Sequence, residues 1–229
     1  MYTDYMLMTA AKNVTRDVSL VFDFIERPYS PVRFKELLVS PNEMKQKFIR
    51  LINEEIKNKQ AGKPAYILIK INHITDPVMV KKLYEASSHG VRIDLLVRGN
   101  CSLITGVPGV SDTIRINGII DRYLEHSRIF IFANGGDEKM FIGSADWMPR
   151  NLDNRVEVIA PVYDPEIKAD LKRVVEYGLK DTLQGRVVDG TGENRPWISE
   201  DKTAFRSQEE LYKYYFCLLY TSDAADDRI

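Results

Sequence analysis

An α/β fold with a mixed sheet flanked by helices follows from the way strand and helix periodicities alternate along this chain. Tyr66–Ile71 and Arg92–Val97 are short, largely apolar runs of the kind buried on both faces of a parallel sheet. Between them, from Asp76-Pro77 to Gly90, the apolar spacing is helical. The three segments make a β-α-β unit, whose strands run parallel with a right-handed crossover. Further on, two short strand-like runs, Arg128–Phe132 and Lys139–Ile142, flank Asn134-Gly-Gly-Asp137, a strong turn signal. A parallel unit and a hairpin in one domain give a mixed sheet.

In chain order, residues 1–35 read as the tail of something larger. Asp17–Ile25 predicts a short helix with Leu20, Val21, Phe24 and Ile25 apolar, and the proline-bearing Arg27-Pro-Tyr-Ser-Pro31 predicts a linker. Ser40-Pro-Asn-Glu43 has the form of a capping box with proline at the first helical position. Met44, Phe48, Leu51, Ile52 and Ile56 then share one helical face, and Gly62 can end that helix. Val80, Leu83 and Tyr84 supply the inner face of the crossover helix. Residues 99–119 carry Gly99, Gly106, Pro108, Gly109 and Gly118 with weak periodicity, which predicts a long ordered loop near a site. Arg155–Ala160 reads as another strand. Asp164-Pro165 opens a helix that turns Ile167, Leu171, Val174 and Val175 inward. Residues 186–206 read as irregular and Gln208–Tyr215 as a final helix. No internal repeat is evident.

Composition excludes more than it assigns. The chain has 229 residues, 44% hydrophobic and 28% charged, as an ordinary globular protein has. No apolar stretch approaches membrane-spanning length, and the start Met-Tyr-Thr-Asp-Tyr lacks a signal peptide's basic-then-apolar layout. Cys101 and Cys217 form no disulfide framework, which suits a reducing compartment and a cytoplasmic protein, peripheral at the membrane at most. Three scattered histidines and no cysteine pair argue against a zinc site, so no metal ligands are expected in this chain. Net charge is −1. Between residues 92 and 150 seven Lys and Arg stand against seven Asp and Glu. There is no global field to attract a polyanion and nucleic acid is not an expected partner; anion binding has to come from convergence of a few arginines in the fold.

The most informative residue is His126, in Tyr123-Leu-Glu-His-Ser-Arg-Ile-Phe-Ile-Phe132, because Gly143-Ser-Ala-Asp-Trp-Met148 follows it. Histidine can attack or receive a phosphoryl group, or pass a proton to a leaving oxygen, near neutral pH. A Gly-Ser turn after a hairpin can bring N–H groups and a hydroxyl to phosphate oxygens. The plainer alternative is a histidine that ends a helix. Ligands gather at the carboxyl ends of strands in open α/β sheets, where Lys70, Asn72 and Arg98 fall.

His126 with Arg128, and Gly143-Ser144-Ala145-Asp146 after it, resemble a degenerate form of one half of the phospholipase D superfamily's site, which is built from two halves, each with a H-x-K-x(4)-D and a later G-S-x-N. Arg128 stands at the lysine position, Ala133 at the aspartate and Asp146 at the asparagine. A longer series is more specific. Tyr2-Thr-Asp4, Leu96-Val-Arg-Gly99 with Cys101-Ser-Leu103, Asp121-Arg-Tyr-Leu-Glu-His126, and Ser144-Ala-Asp-Trp-Met148 with Arg150-Asn151 occur in this order. Together they resemble the C-terminal part of the bacterial polyphosphate kinase family with a phospholipase D-like core, over almost everything from Tyr2 to about Tyr215.

The resemblance implies a phospholipase D-like mixed sheet and reversible transfer of the ATP γ-phosphate onto inorganic polyphosphate through a phosphohistidine. That histidine and the magnesium-associated residues belong to sequence upstream of this chain. Mg2+ dependence, ATP or ADP and polyphosphate as partners, and a homo-oligomer are implied with it. By position, Tyr2 resembles the aromatic residue that contacts adenine, Arg98 the arginine on ATP phosphates, and His126 the second essential histidine. Lys70, Arg122, Ser144 and Asp146 are secondary candidates. Lys70 could face a phosphate tunnel or be merely solvated. Arg122, four residues before His126, would share its face on a helix. Asp146 could orient His126 or cap a turn. Trp147 and Met148 read as core.

The implied organisation is residues 1–36 as the tail of a truncated catalytic domain, 37–206 as the C-terminal phospholipase D-like domain, and 207–216 as a terminal helix. Residues 217–229 are expected to be non-native, since Cys217–Asp227 matches translation through a transposase-type sequencing adapter; a natural acidic tail is the alternative. The fragment is expected to be inactive alone. A non-catalytic phosphate- or nucleotide-binding module and a phospholipase D-type phosphodiesterase half-site are the competing readings, the latter disfavoured by Arg128 and Asp146.

Overall fold

A computed structural model of the chain describes residues 2–29, 31–199 and 203–226. Its strands are β1 (Tyr2–Thr3), β2 (Leu38–Ser40), β3 (Tyr66–Ile71), β4 (Arg92–Val97), β5 (Ile114–Ile119), β6 (Leu124–Glu125), β7 (Arg128–Phe132), β8 (Lys139–Gly143), β9 (Glu157–Val162) and β10 (Gly185–Val187). The α-helices are α1 (Lys12–Glu26), α2 (Met44–Gln60), α3 (Pro77–Ser88), α4 (Pro165–Lys180) and α5 (Ser207–Asp226). One sheet runs in the order β10-β5-β4-β3-β7-β8-β9-β2, and β1 and β6 make a separate two-stranded ribbon. β3, β4 and β5 are parallel, and every other pairing in the large sheet is antiparallel. The expected α/β architecture, a mixed sheet flanked by helices, is the observed one.

Period-2 alternation divides the sheet between two cores. On one face Ile67, Ile69, Ile71, Ile93, Leu95, Phe130 and Phe132 pack under α2 and α3, through Phe48, Ile52, Met79 and Leu83. On the other, Leu68, Leu96, Ile129, Ile131 and Met140 pack under α4, through Leu171, Val174 and Val175. Trp147 is fully buried in the first core. Its ring lies 5.1 Å from Phe48 and 5.8 Å from Phe130. Met148, expected beside it, is only half-buried. A third cluster sets α1 through Val14, Val21 and Phe24 against Phe34, Leu37 and Val39. No described helix is long and apolar enough to cross a membrane.

Several sequence expectations are corrected. Ser40 does not cap a helix: it ends β2, and its hydroxyl donates to the carbonyls of Asn151 and Arg155. Helix α2 starts at Met44, with no side-chain hydrogen bond at its cap. Residues 99–119 are not all loop, because Ile114 and Ile116 turn inward as β5, and Gly118 lets β5 approach the carbonyl of Val97. The strand expected from Arg155 starts at Glu157, since the π-helical turn Arg150–Asn154 keeps Arg155 N–H on the carbonyl of Arg150, 3.0 Å away. Residues 186–206 include part of the edge strand β10. Helix α1 begins five residues earlier than expected, at Lys12, and its buried Asp17 accepts the N–H groups of Glu36 and Leu37 at 2.7 and 3.1 Å. Ser30, in the expected linker, lies outside the described residues.

Gly143 has an ordinary φ, and its requirement is space. A Cβ there would stand 2.2 Å from the carbonyl oxygen of Val158 and 2.6 Å from the Cα of Ile159, both backbone atoms of β9. Gly143→Ala should therefore push β8 and β9 apart and cost about 1–3 kcal/mol, read as a lower urea midpoint at unchanged m-value. A midpoint equal to that of the parent would contradict this account.

Candidate functional site

Antiparallel pairing brings strand ends of both senses to one edge of the sheet. The carboxyl ends of β3, β4 and β8 lie there with the starts of β7 and β9. The residues at these ends, Asn72, Arg98, Ser144, Arg128 and Glu157, line a cleft of ≈ 440 Å³ together with Tyr2, His73, His126, Asp146, Arg150, Asn151 and Arg155. Of the primary candidates, the structure brings Tyr2, Arg98 and His126 to this one cleft.

His126 is held by the β1–β6 ribbon. Tyr2 pairs with Leu124, Thr3 pairs with Glu125, and the N–H of His126 donates to the carbonyl of Thr3 at 2.9 Å. The pairing places the Tyr2 ring 5.0 Å from the imidazole, edge-on at 62°, with Tyr2 still 62% exposed. It also brings Asp4 Oδ2 to 3.0 Å from His126 Nδ1. Arg128 Nη1 lies 3.0 Å from Nδ1 and 3.1 Å from Nε2. The two ring nitrogens flank a single carbon, so an atom equidistant from both stands over the ring face; in the plane it would collide with Cε1. Arg128 Nη1 therefore lies over the face of the imidazole. The same Nη1 donates to the carbonyl of His126 at 2.8 Å.

Asp146 does not touch His126, contrary to one expectation. Its Oδ1 accepts the N–H groups of Asn72 and His73 at 3.0 and 3.3 Å and Nε of Arg128 at 3.2 Å, and its Oδ2 accepts Nη2 of Arg128 at 3.1 Å. Both side chains of this pair are under a tenth exposed. The carboxylate orients His126 only through Arg128.

Arg98 sits beyond β4 with its Nε donating to Asn72 Oδ1 at 3.0 Å. Gly99 permits that position, because a Cβ there would stand 2.4 Å from the His73 ring. Among the described residues, Arg128 is the one arginine of the four in the cleft with an ion-pair partner. Glu157, the other carboxylate of the wall, is engaged by Asn151 Nδ2 at 2.5 Å and by the Ser144 hydroxyl. The cleft thus offers Arg98, Arg150 and Arg155 to a ligand, an arrangement suited to phosphate oxygens. Arg150 and Arg155 flank the π-helical turn; the sequence marked Arg150 only within a motif and Arg155 only as the start of a strand.

The remaining secondary candidates are placed differently from expectation. Ser144 lines the cleft, but its N–H donates to the carbonyl of Val158 at 3.1 Å and its hydroxyl to Glu157, so neither is open to a ligand. Lys70 faces the α4 side of the sheet, 7% exposed, and pairs with Glu125 Oε2 at 2.9 Å. It is neither solvated nor in the cleft. Burial alone would raise the Glu125 carboxyl, but the Lys70 charge and hydrogen bond, with Gln208, hold it below the usual range. Arg122 is not on a helix with His126: it is exposed, and its guanidinium lies 5.5 Å from the Tyr123 ring centroid. Cys101 is partly buried, which pushes its thiol up, and neither it nor Cys217 forms a disulfide. Among the described residues no three His, Cys, Asp or Glu side chains meet as metal ligands.

Over residues 37–208 the sequence matches the family described as polyphosphate kinase C-terminal domain 2. The chain belongs to the polyphosphate kinase family. Polyphosphate kinase of Escherichia coli (strain K12) is 44% identical over 214 residues, which cover 93% of this chain and 31% of that protein. The polyphosphate kinase of Klebsiella pneumoniae is 46% identical over 213 residues, again 93% and 31%. The crystal structure of polyphosphate kinase from Porphyromonas gingivalis superposes with a TM-score of 0.88 at 39% identity, covering 93% of this chain and 33% of that one. The chain thus spans about a third of the length of these polyphosphate kinases.

The buried Arg128–Asp146 pair gives the first test of this site. Asp146→Asn keeps the shape and leaves the Arg128 charge uncompensated, which should cost about 3–5 kcal/mol in urea unfolding. A loss under about 1 kcal/mol, the scale of an exposed pair, would show that the pair is not the anchor described.

Proposed function

We propose that the cleft is one side of a phosphoryl-transfer site, acting in reversible transfer of the ATP γ-phosphate to inorganic polyphosphate. The observation that carries this reading is a single one: Arg98, Arg150 and Arg155, without carboxylate partners among the described residues, line the same cleft as a histidine whose neighbour Arg128 is already committed to Asp146. In this reading Arg98 holds two phosphate oxygens, and Arg150 and Arg155 make further anion contacts. Tyr2, exposed at the rim, offers a ring on which a purine can stack.

For His126 the roles are proton handling or charge stabilisation at the leaving oxygen. Asp4 engages Nδ1. In the neutral ring this favours the tautomer with the proton on Nδ1 and the lone pair on Nε2, and Nε2 has no in-plane partner among the contacts described. A proton taken at Nε2 can then be returned to a leaving oxygen, with Asp4 and the polarised wall supporting the charge. Phosphoryl transfer asks of a protein mainly positioning and neutralisation of spread negative charge, and the arginines supply both. The phosphohistidine and the magnesium-associated residues belong, in this reading, to the upstream part of the family's longer proteins.

The test restores the upstream part from a relative and follows acid-insoluble phosphate polymer formed from ATP. The purified 229-residue chain should make none. The restored protein should make polymer, and His126→Ala should slow it at least about 100-fold, the lower range for a general acid–base group, with folding intact. Equal rates from parent and variant would reduce His126 to scaffolding. Polymer made by the isolated chain would overturn the half-site reading, and saturable nucleotide binding without polymer from the restored protein would favour a binding module.

A further inference from the structure

The segment that carries His126 has little regular structure to hold it. Between the end of β5 at Ile119 and the start of β7 at Arg128 lies only the two-residue β6, whose ladder partner is the two-residue β1. A segment with so few backbone partners opens readily. Side chains from the first turn of α5 and the residue before it supply what the backbone lacks. The Gln208 amide makes both hydrogen bonds that a neighbouring strand would make to Tyr123. Its Oε1 accepts the Tyr123 N–H at 2.8 Å, and its Nε2 donates to the Tyr123 carbonyl at 2.9 Å. The same Nε2 reaches Glu125 Oε1 at 2.9 Å, while Lys70 holds the other oxygen of that carboxylate. Two residues earlier, Arg206 closes a two-point pair on Asp121, with Nε to Oδ2 at 2.9 Å and Nη2 to Oδ1 at 2.6 Å.

The base of this clamp is itself fixed. Asp181, fully buried just after α4, accepts both the N–H and the hydroxyl of Ser207 at 2.8 and 2.7 Å. Its other oxygen accepts the N–H groups of Leu183 and Gln184 at 3.1 and 2.8 Å. The connection therefore runs from α4 through Asp181 and Ser207 to Gln208, then to Tyr123 and Glu125, and so to the adjacent His126. Gln208 is itself buried, and a buried side chain that satisfies both backbone groups of one residue leaves that residue little freedom.

We propose that Gln208, seconded by Arg206, is a positioning residue for His126, so that the start of α5 sets where the imidazole stands in the cleft. The inference rests on His126 serving phosphoryl transfer. Gln208 touches neither the cleft nor any group placed there for substrate; it acts through the Tyr123–Glu125 backbone.

Gln208→Met keeps length and removes every hydrogen bond. In the 229-residue chain, hydrogen exchange at the Tyr123 amide should rise about tenfold or more, the worth of one to two lost hydrogen bonds, while amides of β3 and β4 stay protected. In the protein with its upstream part restored, kcat should fall about tenfold to a hundredfold, as misplacement by about 1 Å can cause, with KM for ATP within about twofold because Arg98 and Tyr2 are untouched. Unchanged Tyr123 exchange would overturn the clamp regardless of activity. Faster exchange with unchanged kcat, in a protein whose His126→Ala variant is inactive, would overturn the positioning role. A failed phosphotransfer reading would show separately, in the parent and His126→Ala rates. Should Gln208→Met lose protection in β3 and β4 as well, Arg206→Gln, at a partly exposed side chain, frees the other end of the segment and is judged by the same two readouts.

Discussion

The ion pair between Arg128 and Asp146 organises the end of the sheet on which the cleft depends. Asp146 leaves β8 through Gly143-Ser144 and turns its carboxylate back under the sheet, where it gathers two backbone N–H groups past the end of β3 and two guanidinium donors at the start of β7. One group thus ties together three strand ends whose neighbours are far apart in sequence. Burying two charges is costly unless geometry and hydrogen bonds are complete; here the pair makes four bonds at Asp146 and three more contacts at His126. The Nη1 that this pairing leaves over both lies on the imidazole face and donates to the His126 carbonyl. Loss of the pair would release the wall of the cleft and the histidine together.

A division of labour among cations follows. Arg128 is consumed by structure, whereas Arg98, Arg150 and Arg155 surround the same cavity without ion-pair partners among the described residues. The net charge of −1 sets up no long-range field, so any attraction for a polyanion would have to be local and built by convergence. Two devices present the three arginines. Arg98 follows a parallel strand and is steadied by Asn72. Arg150 opens and Arg155 follows a π-helical turn, and the Ser40 hydroxyl donates to the carbonyls of Asn151 within it and of Arg155 after it.

What the sequence revealed and what it hid divide by range. β3 and β4 could be read residue for residue, because buried parallel strands write themselves as continuous apolar runs. The hairpin of β7 and β8 was marked by its glycine turn, and α4 by its Asp-Pro start. Of the site, Tyr2, Arg98 and His126 were found together as expected, the first two by their order in a family motif. Local rules misled where a distant partner claimed the group. Ser40 has the form of a cap, but carbonyls more than a hundred residues away take its hydroxyl. Ser144 looks like a phosphate-loop serine, but Glu157 takes it. Arg122 and His126 have helical spacing in a segment that β1 pulls into a strand. Gln208 gave no signal, because its value lies in contacts with Tyr123 and Glu125, more than eighty positions earlier.

The central claim is that this cleft binds phosphate chains through arginines left unpaired by the fold. Titration of inorganic tripolyphosphate into the purified chain, followed by calorimetry in parallel for the parent and for Arg98→Ala, tests it most directly. Saturable binding is predicted, weakened about tenfold or more by the substitution, as the loss of a charge-assisted contact of about 1.5–3 kcal/mol implies, and weakened further as salt rises. Absence of binding by the folded parent, or equal affinity in parent and variant, would contradict the account.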